Sequence, residues 1–284
     1  MRGFALRYQP GTDLNRQRRI NLMTTPVKHA ELTAQQAMRY SRQLMLPALD
    51  FCGQEALLAS KVLLVGMGGL GCAAAPYLVG SGVGSITLVD NDTIDSSNLQ
   101  RQILYREADI GQSKAGQAAA GLRQLNSEIE INALQQRLTA DDLAQLVPQF
   151  SLVLDCSDNL ATRNAINAAC VKAKVPLVSG AAIRFEGQVA SFSMQGDGAC
   201  YYCLSQLFGD QQLSCMEAGI LSPVVGIIGT MQALEAVKIL AGVGTPLYGK
   251  LQLFDGLTSQ WRRFNLAKDP GCSVCGNQSQ DNAV

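Results

Sequence analysis

The chain has 284 residues, 47% of them hydrophobic, and its 23 basic and 23 acidic side chains leave a formal net charge of zero. That length can bury a large core, and the lack of a net field argues against nucleic acid or an anionic membrane as partner. A single histidine, His29, argues against a Ser-His-Asp hydrolase, a His-ligated zinc enzyme or a histidine base, and nine cysteines point to metal or thiol chemistry.

Residues 1–30 are polar and basic and lack periodicity, so they read as a disordered extension. No signal-peptide pattern opens the chain and no apolar run reaches the roughly 18 residues of a membrane span, so the expected compartment is the cytoplasm. The longest apolar stretch, 223–241, is interrupted by Glu235 and Lys238. Residues 31–60 read as helical and are capped by Thr33, with Arg39 and Arg42 three apart on one face.

Residues 62–65, VLLV, read as a buried parallel strand. Gly66, Gly68 and Gly71 then spell G-x-G-x-x-G, with Gly69 inside it. Such glycines remove a Cβ where the backbone turns tightly or approaches a phosphate. Residues 72–79 suit a helix packed close on the sheet, in which Pro76 fits only an early turn. A second strand, 86–89, ends at Asp90, roughly 20 residues after the glycines, where an acid accepts hydrogen bonds from ribose. Strand, glycines, helix, strand and acid in this order mark a nucleotide site without naming the nucleotide.

Residues 91–112 are too long for an ordinary connection; they carry Asp92, Asp95, Asn98, Arg101 and Gln102, and Lys114 lies just beyond. A helix at 113–126, a strand at 129–135 and a Thr139/Asp142 capping box follow. A strand at 151–155, a helix at 161–172 and a strand at 175–179 continue the alternation of a doubly wound α/β fold. The stretch CSDN, 156–159, sits at a strand's C-terminal end, where ligands bind in open sheets. The pattern then changes. Residues 187–194 alternate like an antiparallel strand, 222–242 read as a helix with Ser222 as N-cap and Pro223 first, and 250–266 read as a hairpin. The expected fold is a Rossmann-like doubly wound sheet, parallel in the N-terminal half and continued by antiparallel strands. The expected organisation is one domain over 31–276, with a nucleotide half (31–180), a second half (181–276) and a polar tail (277–284).

Two C-x-x-C pairs, Cys200/Cys203 and Cys272/Cys275, suit a four-cysteine zinc site whose closed shell serves stability. Redox C-x-x-C motifs fit less well, because neither pair precedes a helix in a thioredoxin-like βαβ unit. Cys52, Cys72, Cys156 and Cys170 read as inert packing residues. Cys215, in the polar loop LSCMEAGI, is either a nucleophile or a tolerated surface thiol, and spacing leaves both open. Arg101, Lys114 and an arginine of MRYSR could surround a triphosphate, with Asp158 holding Mg2+. This is equipment for attack on a phosphate of ATP. No Walker lysine follows the glycines.

The ordered set RYSRQ, VGMGGLGC, DNDTIDSSNLQRQ, GQSK, LDCSDN and the two cysteine pairs closely resembles the MoeB/ThiF enzymes, relatives of ubiquitin-activating enzymes. Within that family SGAAIRFEGQ and CLSQLFGDQQLSCMEAG resemble the molybdopterin branch, while LQLFDGLTSQW and ALQQRLT resemble the thiamine branch. The resemblance implies ATP-dependent adenylylation of the C-terminal Gly-Gly carboxylate of a small ubiquitin-like sulfur carrier. The expected pathway is molybdenum cofactor biosynthesis, with the ThiS-type carrier of thiamine biosynthesis as alternative. It further implies that Gly69 and Asp90 bind the nucleotide, that Ser97, Asn98, Leu99, Gln100, Arg101 and Lys114 embrace the phosphates, and that Asp158 and Asn159 lie at the Mg-ATP site. Arg42 would reach the neighbouring subunit's phosphates, which implies a homodimer. Cys215 matches a loop cysteine that links to the carrier through sulfur in the thiamine branch. No rhodanese-like domain follows Cys275, so an external sulfur donor is expected. The competing readings are a nicotinamide-dependent oxidoreductase, which leaves Arg101, Lys114 and the cysteine pairs unexplained, and a non-catalytic zinc-stapled nucleotide sensor.

Overall fold

The computed structural model describes residues 31–196, 198–207 and 218–276. The basic extension, Cys215 and the polar tail lie outside them. Eight strands form one sheet: β1 (Lys61–Val65), β2 (Ser85–Val89), β3 (Glu130–Leu134), β4 (Leu152–Asp155), β5 (Leu177–Ile183), β6 (Glu186–Phe192), β7 (Lys250–Asp255) and β8 (Gln260–Asn265). Their order is β3-β2-β1-β4-β5-β6-β7-β8. The first five are mutually parallel, and β5 is where the sheet turns antiparallel.

Helices cover both faces of the parallel part, so its central strands are apolar almost throughout. Successive β1 side chains serve opposite sides. Val62 and Leu64 join one cluster with Leu78, Leu88 and Ile228, whereas Leu63 and Val65 join another with Val153, Ile166 and Phe192. Each fully buried leucine or valine contributes about 1.5–3 kcal/mol against leaving it in water. The first face carries α4 (Gly69–Gly80), α5 (Lys114–Leu125) and α9 (Ser222–Ala241). The second carries α6 (Ala140–Leu146), α7 (Leu160–Ala173) and α8 (Tyr201–Ser205). Strand β8 is one of the two edges, opposite β3; all its residues are exposed, and Arg262 and Arg263 discourage another chain from pairing with it.

Four local expectations change. The single helix expected at 31–60 is three: α1 (Ala34–Arg39), α2 (Ser41–Leu44) and α3 (Asp50–Ala59). Tyr40 leaves helical geometry (φ −94°, ψ 12°) because its ring is buried and its hydroxyl accepts from Asn126 Nδ2 at 2.9 Å. Arg39 and Arg42 therefore sit on different helices. Pro76 lies well inside α4, where packing against α9 outweighs the missing donor. Ser222 is the first residue of α9 rather than its cap, which is Leu221. Helix α9 is also long and apolar enough to cross a membrane by length and composition. It is instead a core helix here, since Val224, Ile228, Gln232 and Glu235 are buried against α4 and the sheet. Its polar groups are satisfied: Gln232 Nε2 donates to Asp155 O (2.8 Å), and Glu235 Oε2 accepts from Leu247 N (2.7 Å) and Ser191 Oγ (3.1 Å).

The glycine loop has no room for side chains at Gly66 and Gly71. Gly66 has φ +97°, and a Cβ there would lie 2.6 Å from Cys156 O, at the end of the neighbouring β4. A Cβ on Gly71 would lie 2.0 Å from Gly66 O. By contrast, Gly121 lies inside α5 with nothing within 4 Å of an added Cβ. Gly71→Ala should therefore lower stability by more than about 3 kcal/mol or abolish folding, whereas Gly121→Ala should raise it by about 1 kcal/mol through helix propensity. Denaturant unfolding of the two variants checks both.

Candidate active site

The parallel strand order reverses between β1 and β4, and a cavity of about 1070 Å³ opens at their C-terminal ends. Open α/β sheets bind ligands at such a switch point. Gly66, Gly68 and Gly69 form part of its wall, where α4 begins and directs its unpaired N–H groups and positive dipole end. Asp90, at the end of β2, is held by two backbone donors, Met67 N at 2.7 Å and Asp92 N at 2.8 Å. Burial pushes its pKa up, and those two bonds pull it part of the way back. The carboxylate is thus fixed against the glycine loop by the fold itself.

Lys114 opens α5, and its side chain is 8% exposed. Its ammonium lies 2.9 Å from Asp92 Oδ2, which keeps a nearly buried cation paired at the cavity wall. Tyr105 braces both parts of this wall. Its hydroxyl lies 2.7 Å from Met67 O and 3.2 Å from Lys114 O, within donating range of either. Arg101 is stacked against Gly69, whose Cβ would lie 3.5 Å from Arg101 Cγ, and it donates to Ser97 O at 3.1 Å.

Of the residues expected from sequence, Gly69, Asp90, Asn98, Arg101, Lys114, Asp158 and Asn159 line this cavity. Ser97, Leu99 and Gln100 are not part of the described lining. Ser97 donates N–H and O–H to Asp95 Oδ1 (2.8 and 2.6 Å) and so shapes the turn, Leu99 packs on the core, and Gln100 faces solvent. Asn159 caps α7 by accepting from Thr162 N at 2.9 Å. Asp158 is exposed beside it and accepts only a long bond from Asn159 Nδ2, at 3.5 Å, so its carboxylate offers oxygens of the kind a hard divalent cation takes. Beneath them Asp155 is fully buried and accepts from Ser157 N (3.0 Å), Ser157 Oγ (2.6 Å) and Ser179 Oγ (2.9 Å). Arg163 lies 3.6 Å from that carboxylate and donates to Ser157 O and to Gly180 O (2.9 Å).

Arg42 is elsewhere. Helix α2 docks on the C-terminal end of α4, where Gln43 Nε2 donates to Ser81 O at 3.2 Å. Twelve helical residues at about 1.5 Å each put roughly 18 Å between that end and the glycine loop. Arg42 is exposed and pairs with no acid among the described residues. Arg39, by contrast, is tied to Leu125 O (3.3 Å) and Glu128 (3.5 Å).

The four sulfurs of Cys200, Cys203, Cys272 and Cys275 lie within 4.8 Å of one another. Individual separations are 4.0, 3.9 and 3.5 Å for Cys200–Cys203, Cys200–Cys272 and Cys203–Cys275. Thiolates about 2.3 Å from a tetrahedral zinc lie about 3.8 Å apart, so the cluster could hold that ion. The pair Cys200/Cys203 opens the five-residue helix α8, a helix that its spacing did not announce. Asn167, fully buried on α7, donates to Cys200 Sγ at 3.5 Å and accepts from Tyr201 N at 2.8 Å. Among the packing cysteines Cys72, Cys156 and Cys170 are buried, and burial pushes their thiols up, that of Cys72 to about 12; Cys52 is exposed instead.

Sequence reasoning missed Asp92 as the partner of Lys114, and it missed Tyr105, Arg163 and Asn167. The adjacency of Asp92 to Asp90 was a usable signal. An arginine and an asparagine inside a helix pattern carry none.

The ThiF family model matches residues 40–274. The chain is 52% identical over 247 residues to the molybdopterin-synthase adenylyltransferase of Escherichia coli K12, covering 87% of this chain and 99% of that protein. It is 48% identical over 244 residues to the sulfur carrier protein ThiS adenylyltransferase of the same organism, covering 86% and 97%. Among solved structures it is similar to E. coli MccB crystallised with ATP, with a TM-score of 0.70 and 26% identity over 79% of this chain and 68% of that one.

The cysteine cluster makes a prediction of its own. The purified protein should carry one tightly bound zinc per chain, and Cys200→Ala or Cys272→Ala should release it and lower the melting midpoint, because three thiolates leave the shell open. Elemental analysis finding no zinc in a fully stable protein would contradict this.

Proposed function

The chain belongs to the ThiF family, and from that premise we propose that it adenylylates the C-terminal Gly-Gly carboxylate of a small ubiquitin-like sulfur carrier, using ATP. The observation that carries this reading is the continuity of the cavity. One end is the nucleotide wall of Gly69, Asp90 and Lys114; the other runs along the antiparallel strands past Gly187, Gln188, Leu253 and Asp255. A carrier tail entering from the second end brings its carboxylate to a nucleotide held at the first.

The chemistry fits those residues. A C-terminal carboxylate is ionised at neutral pH, its pKa being about 3.5, so attack needs no general base. This accords with a chain whose one histidine is His29. A carboxylate oxygen bonds to the α-phosphorus, the bond from that phosphorus to the bridging oxygen breaks, and pyrophosphate leaves with the electron pair. Arg101 and Lys114 are assigned the charge that gathers on the phosphates, and the N-terminus of α4 adds its N–H groups. Asp158 is the residue that would hold Mg2+, which when bound supplies further charge neutralisation. The product acyl-adenylate is activated for thiocarboxylate formation by an external sulfur donor. Cys215 lies outside the described residues and enters only as a candidate thiol for that later stage.

The molybdopterin carrier is the favoured substrate, on the higher identity to an enzyme of that name; the ThiS carrier is the second reading. Arg42 is assigned to the site of a second subunit, because its place beyond the far end of α4 keeps it from its own. That assignment makes the working unit a homodimer.

Asp158→Ala should leave the fold intact and reduce ATP–pyrophosphate exchange with the carrier by about 10²-fold or more, since metal positioning is worth several kcal/mol and ~1.4 kcal/mol is tenfold in rate. Near-normal exchange in the folded variant would remove Asp158 from the site.

Arg42→Ala and Asp158→Ala homodimers should each be inactive, yet their mixture should regain activity once subunits exchange. One site of a mixed dimer collects both defects and the other neither. A mixture as inactive as its parts, with exchange demonstrated, would return Arg42 to its own subunit or to a solvated surface.

A further inference from the structure

Two glutamines are buried beside the crevice, and the fold treats them differently. Gln232 uses both ends of its amide, donating to Asp155 O at 2.8 Å and receiving Cys156 Sγ at 3.6 Å. Gln102, only 3% exposed, has no hydrogen bond to its amide among the described residues, and its Oε1 is enclosed without a partner. An unpaired buried amide costs about 1–3 kcal/mol. Asp90, Lys114 and Tyr105 around it are all partnered.

The position of this amide is specific. Gln102 lines the cavity next to the glycine loop, and a Cβ on Gly68 would lie 3.8 Å from its Nε2. The twelve-residue helix α4 starts at Gly69, so its free N–H groups point into the same space. A carboxamide offers two donors at one end and acceptor lone pairs at the other, and rotation about its last torsion exchanges them.

We propose that Gln102 is a nucleotide ligand, its amide N–H donating to a phosphate oxygen of ATP held over the glycine loop. This rests on the nucleotide reading of the cavity. The bond uses the amide's donor end, beside Gly68; the enclosed Oε1 stays unpaired, a cost the fold carries in holding that donor at the cavity, which trades stability for binding.

The test compares the full-length wild type with Gln102→Leu and Gln102→Met, measuring the apo melting midpoint and the calorimetric Kd for Mg-ATP. The apolar replacements remove an unsatisfied group of similar size. The apo midpoint should stay level or rise while Mg-ATP binds about tenfold or more weakly, a loss of about 1.4 kcal/mol. Unchanged affinity in the variants, with the wild type binding, would overturn the assignment. Weaker binding together with a lower apo midpoint would also overturn it, by making the amide a structural part of the loop. A wild type that binds no Mg-ATP would instead overturn the nucleotide reading, and this assignment with it.

Discussion

Everything at the crevice depends on how closely β1 and β4 approach at Gly66. The space between its α-carbon and Cys156 O admits no Cβ, so two strands that feed helices on opposite faces diverge from a single tight point. That divergence opens the cavity. It also sets the start of α4 against the loop after β4, so that N–H groups, Asp90 and Asp158 converge on one space. The small residues of α4 let α9 close over it, and α9 returns the constraint by anchoring Gln232 on Asp155 O. Sheet, glycine loop and core helix thus hold one another.

The charges follow the same economy of position. Lys114 and Arg163 are nearly buried cations, and each is held by a carboxylate, Asp92 or Asp155, that the chain places at the adjoining strand end. A buried cation without a partner would cost several kcal/mol, so these pairs fix geometry more than they add stability. The two are not equivalent. Asp155 is fully enclosed and bonded on all sides, a scaffold for the loop bearing Asp158. Asp92 is largely exposed, and its hold on Lys114 is of the kind that a phosphate can share.

Much of this was legible in the residues. Short apolar runs gave the strands, and the glycine pattern with Asp90 pointed to one wall of the cavity, because these signals are local and geometric. The two cysteine pairs were legible by chemistry, though their meeting depends on the sheet carrying β8 back toward α8. What was not legible came from distant partners. Tyr40 breaks a helix pattern because Asn126, 86 residues away, holds its hydroxyl. Arg42 consequently leaves the face it shared with Arg39. Pro76 sits inside α4, a helix whose main packing partner is α9. Arg163 and Gln102 gain their significance from burial, which no spacing reveals.

The measurement that bears most directly on the central claim is the mass of the carrier after incubation with this protein, Mg2+ and ATP. The account predicts that a carrier ending in Gly-Gly gains one adenylyl group as pyrophosphate is released, and that a carrier lacking its last glycine gains none. ATP cleavage that leaves the Gly-Gly carrier unmodified, with no adenylate trapped, would contradict it.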